Sequence, residues 1–497
     1  MASIPDSVRT SNDYPEFSVL VGNQAIRCSS RRVGAAMRVT IGNQIRVENP
    51  SPGLLAWCKN NLVLANPEYT KKARMGFWLG NTPQKLYLME WDGNTLVLPY
   101  GCLTVVLSHG ECDVVNDLPE PKEIDFKAKV PLYDYQELAK DAMLNAYYGI
   151  LQSPAGSGKT QIGIAMACEI GRRTLWLTHT RDLLLQSKAR AEQYMSASLT
   201  GTITEGKVQI GKAITFATVQ TMCNLNLDRY RDVWDCIIVG ECHRVAGSPT
   251  AVTQFSKVLN ALAARHKYGL SATVHRADGM IAATYALLGK IAYQVPEEAV
   301  EEKIMRVSIL PRPTRIGLSK EFLDTDGTII YAKLVNYLAE DFIRNGLIVG
   351  DLIQNSNHFN LILSDRLAHL KYLMNHLPKD LREQAVMVDG KMTSKKAKAL
   401  REQAIEDMRQ GKKRYLFATY SLAKEGLDIP RLDRLYLTTP QKDYAVITQS
   451  IGRIARTFEG KGEPIAYDYV DNGIQYLIRS YKKRCTTYRK CGCKFIE

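Results

Sequence analysis

Residues suited to phosphate binding lie together in the segment Ser153–Thr160, which reads SPAGSGKT. Gly156 and Gly158 allow backbone N–H groups to turn toward an anion. Lys159 supplies a positive charge for β- and γ-phosphates, and the Thr160 hydroxyl can ligate Mg²⁺. An apolar strand precedes the segment and a helix follows it, so the helix N-terminus adds its dipole. We predict a nucleoside triphosphate loop formed by Ala155, Gly156, Ser157, Gly158, Lys159 and Thr160.

A second segment, IIVGECHRV at Ile237–Val245, reads as a buried strand that ends at an acidic side chain. In phosphoryl-transfer motors, one carboxylate at such a strand end helps to hold Mg²⁺ and the next polarises the attacking water. Glu241 occupies the second position, but Gly240 occupies the first and has no side chain. Asp235 lies too far back along the strand to substitute. We therefore predict that Glu241 is catalytic, that Thr160 and Glu241 are the metal ligands, and that hydrolysis is impaired.

A third segment, QSIGRIAR at Gln449–Arg456, carries two arginines three residues apart. This spacing places Arg453 and Arg456 on one face of a helix. By itself, the same spacing is more typical of a solvated helix face.

The elements that would position these residues alternate between strands and helices from about residue 118 onward. The strands of a first block are predicted in YGILQ, TLWLTHT, AITFATV and CIIVG. Those of a second block are predicted in FNLILSDR, QAVMVDG, RYLFATYS, RLYLTTP and PIAYDYV. Such alternation favours parallel sheets covered by helices. Residues 1–117 instead show short alternating runs with an Asp-Gly turn in WDGNTLVL, and GECDVVNDLPEPKEIDF reads as a linker. The predicted domains are 1–117, 118–300 and 301–497.

Composition limits the class of protein and its partners. The formal net charge of +14 favours a polyanionic partner, because Lys and Arg release counterions from nucleic acid. No apolar run approaches the roughly 20 residues of a membrane span, and the N-terminus lacks a secretory layout. The 11 cysteines are odd in number and scattered, as expected of reduced thiols. We expect a cytoplasmic protein.

Taken in order, these motifs resemble those of superfamily 2 helicases and translocases of the DEAD/DEAH type over about residues 130–470. LYDYQ is similar to the Q motif, SPAGSGKT to motif I, LTHTRDLLLQ to motif Ia and ITFATVQTM to motif Ic. GECH stands where the family has DECH or DEAH as motif II, and GLSATVHRADG resembles motif III. LILSDRLAHL, ATYSLAKEGLDIP and QSIGRIAR resemble motifs IV, V and VI.

The resemblance implies an α/β fold of two tandem RecA-like parallel-sheet domains, preceded by a small β-rich N-terminal domain, and use of ATP with Mg²⁺. It implies that Gln136 reads the adenine base and that Gly426 and Asp428 contact the nucleotide. It also implies that Gln449, Arg453 and Arg456 are catalytic, with the two arginines at the γ-phosphate. It further implies nucleic-acid contacts through Thr178, Arg181, Thr218, Gln220, Ser364, Arg366 and Thr419.

A narrower resemblance concerns NPEYTKKARMGFWLGNTPQKLYLMEWDGNTLVLPYG, which is similar to the N-terminal module of phage repair helicases of the UvsW type. It implies a DNA partner that is forked or branched, a contact between the N-terminal domain and the fork, and the cytoplasm of a phage host. Alternatives are an RNA helicase, a nucleotide-gated DNA clamp without turnover, and the motor of a restriction complex. Gly240 is either natural or an introduced disabling change, and the otherwise complete motifs favour the second.

Overall fold

The structure is a computed structural model that describes residues 18–21, 24–27, 37–124, 126, 128–154, 156–272, 279–301, 305–389, 395–424, 427 and 429–496. The described residues form two compact units. The first comprises the described residues up to Ser153 together with Lys159–Val295. The second comprises the described residues of Pro154–Gly158 and Pro296–Glu497.

The N-terminal part of the first unit is a small mixed domain. Its strands are β1 (Ser18–Val21), β2 (Gln24–Arg27), β3 (Met37–Ile41), β4 (Ile45–Glu48), β5 (Val63–Ala65), β6 (Lys85–Tyr87), β7 (Glu90–Asp92), β8 (Thr95–Leu98) and β9 (Cys112–Asn116). Its helices are α1 (Pro52–Asn61), α2 (Pro67–Arg74) and α3 (Leu103–Ser108). Five strands form a sheet in the order β7-β8-β4-β3-β9. Asp92 pairs with Thr95 across a two-residue loop in which Gly93 has a φ of 59°. The predicted turn lies at this place, but its two loop residues are Gly93 and Asn94, and Asp92 belongs to the strand.

The alternating pattern did not predict the three helices of this domain, although two carry clear start signals. Ser51 caps α1 and Asn66 caps α2, and a proline follows each cap. A capping side chain followed by proline is a strong helix start. The first part of the segment predicted as a linker is instead a strand, because Cys112–Asn116 pairs in parallel with β3 at the edge of the sheet.

The rest of the first unit is an eight-stranded sheet with helices. Its strands are β10 (Tyr148–Gln152), β11 (Thr174–Thr178), β12 (Thr200–Thr204), β13 (Lys207–Gln209), β14 (Ile214–Thr218), β15 (Cys236–Gly240), β16 (His266–Ser271) and β17 (Ile291–Gln294). Its helices are α4 (Asp134–Ala146), α5 (Lys159–Ile170), α6 (Arg181–Ala191), α7 (Val219–Cys223), α8 (Pro249–Ala261) and α9 (Ile281–Leu288). The strand order is β13-β12-β14-β11-β15-β16-β10-β17, and only the β12–β13 pair is antiparallel.

A continuous apolar core joins the N-terminal domain to this sheet. Val252, Ala283 and Ala286 pack in the same cluster as the strands of the N-terminal sheet. Gly101 approaches so closely that a Cβ there would lie 2.3 Å from the Gly289 backbone N, so only glycine fits. At this joint the buried ammonium of Lys267 donates to the carbonyls of Asn43, at 3.0 Å, and Leu259, at 2.8 Å. Burial lowers its pKa to about 7.

The second unit is built on a seven-stranded, all-parallel sheet in the order β20-β21-β19-β22-β23-β18-β24. Its strands are β18 (Ser308–Arg315), β19 (Asn360–Ser364), β20 (Ala385–Val388), β21 (Tyr415–Thr419), β22 (Arg434–Leu437), β23 (Ile465–Asn472) and β24 (Lys494–Phe495). Its helices are α10 (Glu297–Glu301), α11 (Tyr331–Glu340), α12 (Phe342–Gln354), α13 (Leu367–Asn375), α14 (Lys379–Glu383), α15 (Lys395–Arg409), α16 (Tyr420–Lys424), α17 (Tyr444–Ile454) and α18 (Gln475–Lys490). The predicted fold class, two tandem RecA-like sheets with a β-rich N-terminal region, is confirmed.

Candidate nucleotide and nucleic-acid site

The phosphate loop leaves β10 and enters α5 at Lys159. Gly156 and Gly158 have φ angles of 85° and 79°, a region that side chains disfavour. The Ser157 hydroxyl donates to the Pro154 carbonyl at 2.7 Å, and the Lys159 ammonium donates to the Ser153 carbonyl at 3.2 Å. Thr160 follows in the first turn of α5. The conformation thus presents backbone N–H groups and a helix N-terminus, which suits triphosphate binding. Ala155 lies outside the described residues.

Gln136, the expected adenine reader, lies in the first turn of α4 and is buried. Its side-chain oxygen accepts from the Tyr133 backbone N at 2.9 Å, and its amide nitrogen donates to the Tyr135 hydroxyl at 3.3 Å. The first of these bonds ties the Gln136 side chain back to the N-cap residue of α4, and together the two bonds hold the side chain in place. Adenine reading by Gln136 stays a prediction.

The end of β15 adopts an unusual backbone conformation. Glu241 has φ 52° and ψ 51°, a left-handed conformation that costs free energy for a residue with a side chain. Its carboxylate lies 3.4 Å from His243 Nδ1, and the same nitrogen lies 3.0 Å from the Ser271 hydroxyl. Glu241 is therefore connected through His243 to Ser271 at the end of β16, where the Ser-Ala-Thr sequence of GLSATVHRADG begins. Thr273 of that sequence lies outside the described residues.

Position 240 tests whether these residues fit a magnesium ion. A Cβ added at Gly240 would lie 3.2 Å from Trp176 Nε1 and 3.5 Å from Thr178 Cγ2, so these two side chains enclose the space beside Gly240. Trp176 Nε1 is buried and has no hydrogen-bond partner within the part of the chain that the structure describes. The described residues also form no cluster of three or more His, Cys, Asp or Glu suited to a metal. Thr160 and Glu241 are present, but the first carboxylate, which helps to hold Mg²⁺ in such motors, is missing at Gly240.

The arginines expected at the γ-phosphate lie at the end of α17 and just beyond it. Gln449 is 8% exposed, and Arg453 donates to the Leu427 carbonyl at 3.1 Å. The partly buried ammonium of Lys461, which the motifs did not indicate, donates to the carbonyls of Ile454 and Arg456 at 2.8 and 2.7 Å. Burial lowers the pKa of Lys461 to about 8. These bonds hold the backbone at Arg456, while the predicted nucleotide contacts Gly426 and Asp428 lie outside the described residues.

The predicted nucleic-acid contacts of the first unit divide into buried and accessible residues. Thr178 is 1% exposed, and its hydroxyl donates to carbonyls of Thr180 and Ala217. Thr218 is buried, and its hydroxyl is hydrogen-bonded to that of Thr221.

The partly accessible residues are Arg181, which pairs with Glu205 at 3.4 Å, and Gln220, whose amide lies 3.2 Å from His179. The two buried threonines shape their strand ends, and the contacts of all four residues with nucleic acid stay predictions.

In the second unit, Ser364 is fully buried at the end of β19 and its hydroxyl is 3.1 Å from His369 Nδ1. Arg366 is partly accessible, and its guanidinium donates to Asn336 at 2.6 Å. Thr419 is partly accessible and bonded to Ser421 at 2.9 Å. Arg366 and Thr419 can contact a ligand if they give up these hydrogen bonds. Ser364 is buried, and its bond to His369 stabilises the loop after β19. Their role in nucleic-acid binding stays a prediction.

A buried polar network behind Ser364 was not identified from the sequence. Arg344 donates from Nε to Asp471 Oδ1 at 2.7 Å and from Nη1 to the Thr438 carbonyl at 2.7 Å, and both charged groups are almost fully buried. The side-chain oxygen of the neighbouring Asn345 accepts a hydrogen bond from His369 Nε2 at 2.8 Å. An arginine on the buried side of an apolar helix was the available signal, because a buried charge requires a partner.

Comparison with known proteins agrees with this geometry. The family described as the type III restriction enzyme res subunit matches residues 129–276, and the helicase conserved C-terminal domain matches residues 345–458. A protein of Acanthamoeba polyphaga mimivirus, named as an ATP-dependent RNA helicase, is 24% identical over 80% of this chain and 75% of its own length. Helicase D10 of Escherichia phage T5 is 25% identical over 76% of this chain and 78% of its own length.

Among solved structures, T4 UvsW aligns with 93% of this chain and 98% of its own, at 16% identity and a TM-score of 0.40, a value too low to carry an argument alone. The two matched domains and the ordered motifs identify the chain as a superfamily 2 helicase, an enzyme that uses ATP. Within the described residues, no helix is long and apolar enough to cross a membrane.

Proposed function

We propose that this chain is an ATP-dependent helicase or translocase that remodels forked or branched DNA, with hydrolysis impaired by Gly240. ATP places its phosphates on the loop that ends at Lys159 and Thr160. Glu241 polarises the attacking water, and Arg453 and Arg456 supply positive charge to the γ-phosphate. The observation that carries the impairment is Gly240 itself, which leaves a buried N–H without an acceptor where a carboxylate is expected.

The N-terminal domain supports a role at the DNA fork. It carries a group of exposed aromatic residues, here called the aromatic surface: Phe77, Trp78, Tyr87 and Trp91, with side chains 62%, 88%, 64% and 53% exposed. The helix α2, of whose residues Pro67–Arg74 none is buried, brings basic side chains next to it in sequence. Rings beside positive charges suit base stacking combined with phosphate contact.

Replacing Trp78 with alanine is expected to weaken binding of forked DNA about 10-fold, because one stacked base contributes about 1–3 kcal/mol. Fluorescence anisotropy of a labelled fork, at fixed salt and without ATP, measures the change. Phe342→Ala is the matched control, since Phe342 is 77% exposed but lies on α12 of the second unit. Equal fork binding by Trp78→Ala and the unmodified chain would exclude the aromatic surface from the DNA contact.

An RNA helicase is the second candidate, because the mimivirus relative is named as one. Competition between forked DNA and duplex RNA of equal length for the full-length chain separates the two. We expect the fork to displace bound RNA at a concentration at least about 10-fold lower than the reverse, since the N-terminal segment resembles that of phage DNA repair helicases. Preferential binding of duplex RNA would make RNA the substrate and would refute the DNA proposal.

A further inference from the structure

We propose that Trp176 is a positioning residue for a carboxylate at position 240, with its indole N–H placed to donate a hydrogen bond to an aspartate side chain there. This inference rests on the proposed function of the nucleotide site and adds to it a residue that lies before the recognised motif at Leu177. It means that the site retains the surroundings of a carboxylate, although the chain carries Gly240.

The sheet register brings the two positions together. Strands β11 and β15 are parallel neighbours, with Trp176 opposite Ile238 and Leu177 opposite Val239. Side chains two residues apart on a strand share one face, so a side chain at position 240 would project on the face of Ile238. There its Cβ would meet Trp176 Nε1 at 3.2 Å and Thr178 Cγ2 at 3.5 Å. A Cβ at 3.2 Å is close, so the ring or strand must move by a few tenths of an ångström.

The indole ring is held in one orientation by its other neighbours. Its far edge lies against α5, where a Cβ at Gly163 would come within 2.8 Å of Trp176 Cη2. The Phe216 ring packs on another side, with centroids 6.0 Å apart and planes tilted by 39°. Trp176 is 1% exposed. Because the ring is enclosed in this way, its N–H stays directed at the space beside Gly240.

The indole N–H is also an exception to the rule that buried donors are paired. None of the residues described by the structure accepts from it, and a side chain at position 240 would begin 3.2 Å from it. The other fully buried tryptophan, Trp234, donates to the Thr215 hydroxyl at 3.2 Å. A carboxylate at position 240 would satisfy Trp176 with a charge-assisted bond. An aspartate held through one oxygen keeps its second oxygen free.

The test uses the indole resonances of the full chain, which has only 5 tryptophans. Spectra of ¹⁵N-tryptophan-labelled protein are recorded for the unmodified chain and for Gly240→Asp, Gly240→Asn and Gly240→Ala. The Trp176 signal is assigned by replacing the other four tryptophans with phenylalanine one at a time. We expect a downfield shift of the Trp176 Hε1 resonance with aspartate and asparagine, and no such shift with alanine, which adds a Cβ without an acceptor. Trp234 is the hydrogen-bonded reference.

A second measurement tests the consequence for the site. In the Gly240→Asp background, Trp176→Phe removes the N–H and is expected to raise the Mg²⁺ concentration for half-maximal ATP hydrolysis about 10-fold. Trp234→Phe in the same background is the control for loss of a buried indole. If Trp176→Phe does not fold, the spectra, which retain Trp176, decide the question.

Identical Trp176 signals in the Gly240→Asp and Gly240→Ala variants would overturn the inference. A downfield shift in the aspartate variant without any ATP hydrolysis would uphold the positioning role and refute the proposed function. The two proposals therefore fail by different observations.

Discussion

Replacing Gly240 with aspartate is expected to raise Mg²⁺-dependent ATP hydrolysis about 10–100-fold, the usual effect of one supporting group at a metal site. The aspartate supplies the Mg²⁺-holding carboxylate that is missing at Gly240, while the phosphate loop stays as it is. Nucleotide binding should change less than turnover, because the loop and Lys159 already contact the phosphates in the proposed complex. Phosphate release, measured with and without forked DNA for both proteins side by side, gives the result.

Three control variants make this comparison specific. Gly240→Ala adds bulk without oxygen and should leave turnover low, and Gly240→Asn tests whether a neutral oxygen is enough. Lys159→Ala combined with Gly240→Asp should abolish the gain, since the loop then lacks its phosphate-binding charge. If the unmodified chain hydrolyses ATP as fast as the aspartate variant, the account of position 240 is wrong. If neither hydrolyses ATP, a nucleotide-gated clamp becomes the better reading.

Replacing Arg344 with methionine is expected to lower the free energy of unfolding of the second unit by about 3–5 kcal/mol, because Asp471 is left buried without its partner. Arg344 and Asp471 side chains are 1% and 2% exposed, so water cannot replace the lost bonds. The unfolding of the first unit can be measured separately by tryptophan fluorescence, because no tryptophan lies after Trp234. In urea, tryptophan fluorescence follows the first unit alone, while circular dichroism follows both.

The expected result is a circular dichroism transition shifted to lower urea with an unchanged fluorescence transition. Arg409→Met is the matched control, because Arg409 pairs with Glu406 at 3.4 Å on an exposed helix face and should cost less than about 1 kcal/mol. Combining Arg344→Met with Asp471→Leu should recover part of the loss, since no buried charge then remains. A loss equal to that of Arg409→Met would show that the buried pair does not stabilise the unit.

The local signals in the sequence were sufficient for the alternating strands and helices after residue 118 and for the chemistry of the nucleotide loop. Glycines with positive φ, a lysine and a threonine at the start of a helix depend on neighbours within a few residues, so SPAGSGKT was readable without a structure. The same holds for the missing carboxylate at Gly240 and for the parallel sheets. The helices that begin after Ser51 and Asn66 were also readable from their caps, but the alternating pattern around them favoured strands.

Only the tertiary structure decided which side chains meet across the sheets. Trp176 and Gly240 are 64 positions apart, the difference between their numbers, and they approach because β11 pairs with β15. Arg344 and Asp471 are 127 residues apart, and Ser364 is buried because α12 and α13 cover its strand end. Such contacts depend on strand order, register and packing, which no local periodicity contains. For this reason the sequence by itself determined that the nucleotide site lacks a carboxylate at position 240. The fold determined that Trp176 is the residue placed to bind such a carboxylate.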